Sequence, residues 1–172
     1  MIIHKIENSD FNDFLARVKS KSLFVFGDVN TYPKAKTLIN LLVKNEINYT
    51  EYVIMEKELI PTVTLANELI EKAKKSSYIL AIGSGSINDL GKYVATKLDI
   101  DYGIYASAPS MDGYLSKGSA LIYEGEKITF EVNPPKEMIV DIEVIKNAPE
   151  IMIAAGIGDI LGKYTSLTDW RL

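Results

Sequence analysis

Four groups of residues in this 172-residue sequence have the types and spacing to do chemistry. The run Gly83-Ser84-Gly85-Ser86-Ile87-Asn88-Asp89 follows an apolar, strand-like segment and opens a helical one. At such a junction small residues let the backbone approach a diphosphate, and exposed N–H groups with the helix dipole hold its charge. The run departs from G-x-G-x-x-G, because Leu90 precedes Gly91 and no third glycine falls in register, so a plain tight connection explains it equally well. Lys92, one turn on, either adds charge to that site or is a surface lysine. Asp28, at the end of the first clear strand, either accepts hydrogen bonds from a ribose or closes a turn.

The other two groups lie later in the chain. Ser107-Ala108-Pro109-Ser110-Met111-Asp112-Gly113-Tyr114-Leu115-Ser116-Lys117-Gly118 surrounds one carboxylate with hydroxyls and small residues. Asp112 could bind a polyol hydroxyl, or form an Asx turn with Gly113. In Ile151 to Tyr164, Asp159 sits among apolar neighbours, where an unpaired carboxylate is expensive. Lys163, four residues on, would relieve it by an intrahelical pair; a divalent metal would do so too. Gly156, Gly158 and Gly162 each cost roughly 1 kcal/mol in a helix, so close packing or approach to a ligand must offset them.

Composition removes other chemistries. There is no cysteine, which excludes a disulfide scaffold, a thiolate metal site and a cysteine nucleophile. The single histidine, His4, excludes a self-contained multi-histidine metal site and argues against a Ser-His-Asp triad. A net charge of −4 argues against a nucleic-acid binder. No run approaches the roughly 18 apolar residues of a membrane span, so no membrane insertion is expected. The N-terminus lacks a signal peptide's pattern, and a cytoplasmic location is the expectation.

The elements that must position these residues alternate between β-rich and amphipathic stretches, the signature of a parallel sheet covered by helices. Strands are expected at Leu23–Phe26, Tyr49–Met55, Tyr78–Ile82 and Tyr102–Ala106, with helices at Pro33–Lys44, Thr62–Lys75 and Asn88–Leu98 between them. Ala120–Tyr123 and Lys127–Val132 read as a hairpin around Gly125, and Met138–Val140 as one further strand. From Pro149 a long helix is expected to reach the last residue, Leu172. The fold class is therefore α/β: a doubly wound, Rossmann-like parallel sheet with a β-hairpin insertion, followed by the start of an all-helical second domain. Residues 1–148 form the first domain in this reading, and 149–172 the first helix of a truncated second one. The ligand crevice is expected beside the third and fourth strands.

Taken together, the glycine-serine run, Ser110-Met111-Asp112-Gly113-Tyr114, Asn133-Pro134-Pro135, Ala154-Ala155-Gly156-Ile157-Gly158-Asp159, Lys163-Tyr164-Thr165 and Asp169-Trp170-Arg171-Leu172 resemble one family. From about Leu23 onward the chain resembles the sn-glycerol-1-phosphate dehydrogenases, within the group of iron-containing alcohol dehydrogenases, glycerol dehydrogenases and dehydroquinate synthases. The resemblance implies NAD(P)-dependent hydride transfer between sn-glycerol 1-phosphate and dihydroxyacetone phosphate. It also implies a divalent ion, usually zinc, that polarises the substrate oxygen. Carried over by position, Asp28 faces the adenosine ribose, and Gly85, Ser86, Ile87, Asn88 and Asp89 form the diphosphate loop. Ser107, Ala108, Pro109, Ser110 and Ser116 line the nicotinamide side. The catalytic positions are Asp112, which contacts substrate, and Asp159, a metal ligand that also faces substrate.

Two departures stand out. Pro109 removes a backbone donor from the cofactor side. The family's two other metal ligands are histidines of a later helical domain, expected beyond Leu172, and one carboxylate cannot hold a catalytic zinc alone. The chain is thus read as the cofactor-binding portion of a small-molecule enzyme, inactive by itself, with a homo-oligomer left open. Glycerol dehydrogenase or 3-dehydroquinate synthase chemistry, a non-catalytic nucleotide-binding module and a flavodoxin-like domain are the alternatives.

Overall fold

A computed structural model of the chain describes residues 2–9 and 11–169; Trp170, Arg171 and Leu172 lie outside the described residues. The strands are β1 (Ile2–Lys5), β2 (Leu23–Asp28), β3 (Tyr49–Ile54), β4 (Tyr78–Gly83), β5 (Asp101–Ala106), β6 (Gly118–Tyr123), β7 (Glu126–Glu131) and β8 (Glu137–Val140). The α-helices are α1 (Phe11–Val18), α2 (Lys36–Lys44), α3 (Val63–Ala73), α4 (Gly85–Leu98), α5 (Ile142–Lys146) and α6 (Glu150–Asp169). Six strands form one sheet in the order β1-β8-β5-β4-β2-β3, with every pairing parallel. β6 and β7 form a separate antiparallel pair. This is the expected doubly wound sheet with its hairpin.

The central strands are buried on both faces, so they read as continuous apolar runs, Leu23-Phe24-Val25-Phe26 and Tyr78-Ile79-Leu80-Ala81-Ile82. Side-chain alternation splits them between two cores. Phe24, Phe26, Ile79, Ala81 and Ile104 pack with Leu69 of α3 and with Leu90 and Val94 of α4. Leu23, Val25, Leu80, Ile82 and Tyr105 pack with Phe14 of α1 and with Leu38 and Leu42 of α2. The hairpin turns through Glu124 and Gly125, at φ +51° and +85°, a geometry that glycine adopts without a Cβ penalty.

Three elements escape the sequence pattern. β1 is a four-residue edge strand beside β8, with Ile2 and Ile3 exposed. α1 buries Phe11, Phe14, Leu15 and Val18 at helical spacing, yet is only two turns long. Arg17 of α1 reaches the sheet, with Nε on Glu137 Oε1 at 2.6 Å and Nη2 donating to His4 Nε2 at 3.0 Å, while the Tyr78 hydroxyl donates to the other Glu137 oxygen. α5 is a five-residue helix capped by Asp141, whose Oδ1 accepts from the Glu143 and Val144 N–H groups. The long last helix is present through Asp169, but apart from Gly156 none of its residues is fully buried.

Candidate active site

β2 and β4 are neighbours whose onward connections leave in opposite directions, β2 toward β3 and β4 toward β5. The switch point of the sheet therefore lies between β2 and β4, a position where open α/β sheets bind ligands, and the loop after β5 borders the same carboxyl ends. Sheet order supplies this relationship, because strand adjacency is not encoded in local pattern. Gly27 pairs with Ile82, so the carboxyl ends carrying Asp28 and Gly83 stand side by side.

Helix α4 begins at Gly85, one turn earlier than the Asn88 that apolar spacing suggests. Gly83 makes this possible: a Cβ there would stand 2.4 Å from the Ile87 Cβ, so only glycine lets the helix fold back on its strand. Ser84 holds the N-cap position without a side-chain cap, and the first intrahelical acceptor, Ser84 O, is used by the Asn88 N–H at 2.8 Å. The N–H groups of Gly85, Ser86 and Ile87 precede it at the positive end of the helix dipole. Ser84, Gly85 and Ser86 are partly solvent-accessible.

Asn88 and Asp89 do not join them. Asn88 is fully buried; its Nδ2 donates to Tyr114 O at 3.2 Å and its Oδ1 accepts from the Tyr102 hydroxyl at 3.0 Å. Asp89 pairs with Lys92 at 3.1 Å, and burial holds its carboxyl above the usual range despite that ammonium. Lys92 is not a surface residue: it is 1% exposed. Besides Asp89, it contacts Gly118 O at 2.5 Å, Ser116 Oγ at 3.2 Å and Gly113 O at 3.4 Å.

Asp28 is buried at the end of β2, and its Oδ1 accepts from the N–H groups of Asn30 and Thr31, both at 2.8 Å. The turn-closing role thus occupies one oxygen of the carboxylate. Thr31 Oγ1 accepts from the Asp28 N–H and donates to Ile82 O at 2.7 Å, tying this turn to β4.

After β5 the main chain of Ser107 donates to Gly83 O at 3.0 Å, which brings the serine-rich loop to the glycine-serine turn. Ser107 and Ala108 are buried, Pro109 and Ser110 partly so, and Ser116 is exposed. Asp112 is exposed and caps no turn with its side chain, so the Asx-turn alternative is not realised. Its Oδ2 lies 3.0 Å from Lys163 Nζ, and its N–H donates to Asp159 Oδ2 at 2.8 Å.

Asp159 is likewise exposed, so the burial cost expected from its apolar neighbours does not arise. The intrahelical pair with Lys163 is not formed. Lys163 turns to Asp112, and the Asp159 carboxylate accepts from the loop backbone, a bond that holds its pKa below the ordinary value. The same contact with Asp112 raises the Lys163 ammonium. Among the described residues no three His, Asp, Glu or Cys side chains converge. A catalytic zinc takes three protein ligands, so these residues do not by themselves fit a metal centre.

Two recesses of about 390 and 360 Å³ open at the amino ends of the strands, around Tyr102 and Lys136 and around Tyr78 and Glu137. The candidate residues lie at the opposite, carboxyl ends. There a smaller apolar recess of about 270 Å³ separates Ala108 and Met111 from Gly156 and Ile160 of α6. The uncapped start of α4 and Asp28 stand at the carboxyl ends of β4 and β2, and Asp112 with Asp159 lies along the loop that leaves the carboxyl end of β5.

Residues 3–149 match the family model described as iron-containing alcohol dehydrogenase. The chain is similar to the glycerol-1-phosphate dehydrogenase [NAD(P)+] of Bacillus subtilis, 32% identical over 93% of this chain and 42% of that protein. It is 36% identical to the enzyme of the same name from Halalkalibacterium halodurans, over 86% of this chain and 38% of that one. The chain thus spans less than half the length of these curated relatives. In fold it is similar to the glycerol dehydrogenase of Schizosaccharomyces pombe, with a TM-score of 0.78 and 20% identity over 95% of this chain and 43% of that structure.

Proposed function

The chain belongs to the iron-containing alcohol dehydrogenase family, and from that premise we propose that it is the cofactor-binding part of an NAD(P)-dependent oxidoreductase. Its reaction interconverts sn-glycerol 1-phosphate and dihydroxyacetone phosphate. The observation that carries this reading is the uncapped start of α4 at the switch point, beside a buried Asp28. The N–H groups of Gly85, Ser86 and Ile87 bind the cofactor diphosphate there. Asp28 Oδ2 accepts from the adenosine ribose while Oδ1 maintains the turn, an arrangement that favours NAD(H). Ser107, Ala108, Pro109 and Ser110 run from that turn toward the nicotinamide. Ser116 lies farther along the same side, its hydroxyl shared with Lys92.

Asp112 and Asp159 orient the polyol phosphate at the carboxyl ends of the strands. NAD(P)H held there would supply the hydride that reduces the carbonyl carbon of dihydroxyacetone phosphate, with the accompanying proton taken from solvent. In the whole protein Asp159 would contribute one carboxylate to a divalent ion, zinc, completed by ligands from elsewhere, and that ion would polarise the substrate oxygen. α6 is the first helix of a helical domain: Ile151, Ile157, Ile160, Leu161, Tyr164 and Leu167 are exposed around it, an apolar surface that further helices would cover. This reading places the protein in the cytoplasm; among the described residues no helix is long and apolar enough to cross a membrane.

The test is titration of the full-length protein with metal and NADH, assaying dihydroxyacetone phosphate against dihydroxyacetone. Faster NADH oxidation with the phosphorylated ketone is expected. Preference for the free ketone, or no turnover with either, would overturn the assignment.

A further inference from the structure

Lys92 is a fully buried ammonium in a helix whose neighbouring positions, Leu90, Val94 and Ala95, are apolar core. Burying such a charge is costly unless polar partners surround it, and an apolar side chain of similar length would fill the place without that cost. Lys92 is fully surrounded. Its oxygen neighbours are Asp89 Oδ1, Gly118 O, Ser116 Oγ and Gly113 O. Three of the four belong to the six-residue segment 113–118, and the fourth to the first turns of the same helix. Asn88, one turn earlier on the same face, donates to Tyr114 O in that segment. Ser119 adds a bond from the other side, its hydroxyl donating to Asp89 O at 2.8 Å.

We propose that Lys92 is a positioning residue that locks segment 113–118 onto the cofactor helix, and so sets the distance between the diphosphate turn and the substrate carboxylate Asp112. Asp112 directly precedes the clamped segment, and its own side chain is exposed. Its register against Gly85 and Ser86 therefore passes through Gly113 and the Lys92 contacts. The substrate half of this inference rests on the dehydrogenase reading above; the clamp itself does not.

The experiment uses full-length protein carrying Lys92→Met, which keeps length and removes charge and donors. The KM for dihydroxyacetone phosphate is expected to rise about tenfold, with NADH affinity changed less than about threefold. Amide hydrogen exchange across residues 113–118 is expected to accelerate about tenfold while β4 and β5 keep their protection. An equal weakening of NADH affinity alongside the rise in substrate KM, or unchanged exchange across 113–118, overturns the proposal. If Lys92→Met does not fold, Ser116→Ala removes one acceptor of the ammonium. About threefold faster exchange in 113–118 supports the clamp there, and unchanged exchange overturns it. Because exchange is read without substrate, an inactive wild-type protein would defeat the dehydrogenase reading while leaving the clamp testable.

Discussion

Gly156 lies against the carbonyl oxygen of Pro109 so closely that a Cβ on it would stand 1.9 Å from that oxygen. Both partners are backbone, so neither can yield by a rotamer change. Replacing Gly156 with alanine must push α6 off the serine-rich loop, at a cost of about 1–3 kcal/mol. In the full-length protein Gly156→Ala should lower the melting temperature and the turnover number while NADH still binds. A variant with unchanged turnover would show that the α6 contact does not organise the site.

The neighbouring ion pair behaves differently. Asp112 and Lys163 are 38% and 51% exposed at the side chain, and solvent screening leaves such surface pairs little weight in stability. Lys163→Ala should therefore leave thermal stability almost unchanged. Asp112→Ala should raise the KM for the polyol phosphate, with little change for NAD(P)H. Steady-state kinetics with each substrate varied in turn separates the two; a defect confined to the cofactor would place Asp112 elsewhere.

Asp159→Ala removes the carboxylate assigned to the metal and also the acceptor of the Asp112 N–H. Metal content and turnover of the full-length protein should both fall to background, with NADH binding retained. Metal analysis of the purified variant checks this, and a full metal complement would return Asp159 to a purely structural role.

For Asp28 the two oxygens separate stability from binding. Asp28→Asn keeps an acceptor for the Asn30 and Thr31 N–H groups, so its melting temperature should match wild type while the NADH dissociation constant rises about tenfold. Asp28→Ala loses the turn as well, at a further cost of about 1 kcal/mol. Calorimetric titration and thermal melts of both variants test this division.

Tyr114 supplies a pH signature. Burial pushes its phenol up to about 12, partly opposed by a hydrogen bond with the Ser110 side chain. The folded state thus holds this proton when the unfolded state, with its value of 10.0, releases it. The stabilisation is complete below pH 10 and is lost as pH rises toward about 12, by up to about 1.4 kcal/mol per pH unit. Denaturant melts across that window should show a steeper decline for wild type than for Tyr114→Phe.

Local pattern carried much of this molecule. The apolar runs that became β2 and β4, the helices that cover them, the Glu124-Gly125 turn and the glycine-serine junction are all short-range features. Side-chain periodicity, turn chemistry and glycine placement specify them without reference to distant residues. Short elements at the margins, β1, α1 and α5, carry too few residues for a period to show.

Tertiary structure alone decided what each charged group does. Strand order put the switch point between β2 and β4 and made Asp28 the neighbour of Gly83. Lys92 became an interior clamp because the hairpin and segment 113–118 fold over its helix, and Lys163 passed over Asp159 for Asp112, 51 residues away in sequence. A helix start can be read from neighbours three or four residues distant. The partner of a long, charged side chain depends on which backbone oxygens and carboxylates the whole fold brings within 3 to 4 Å.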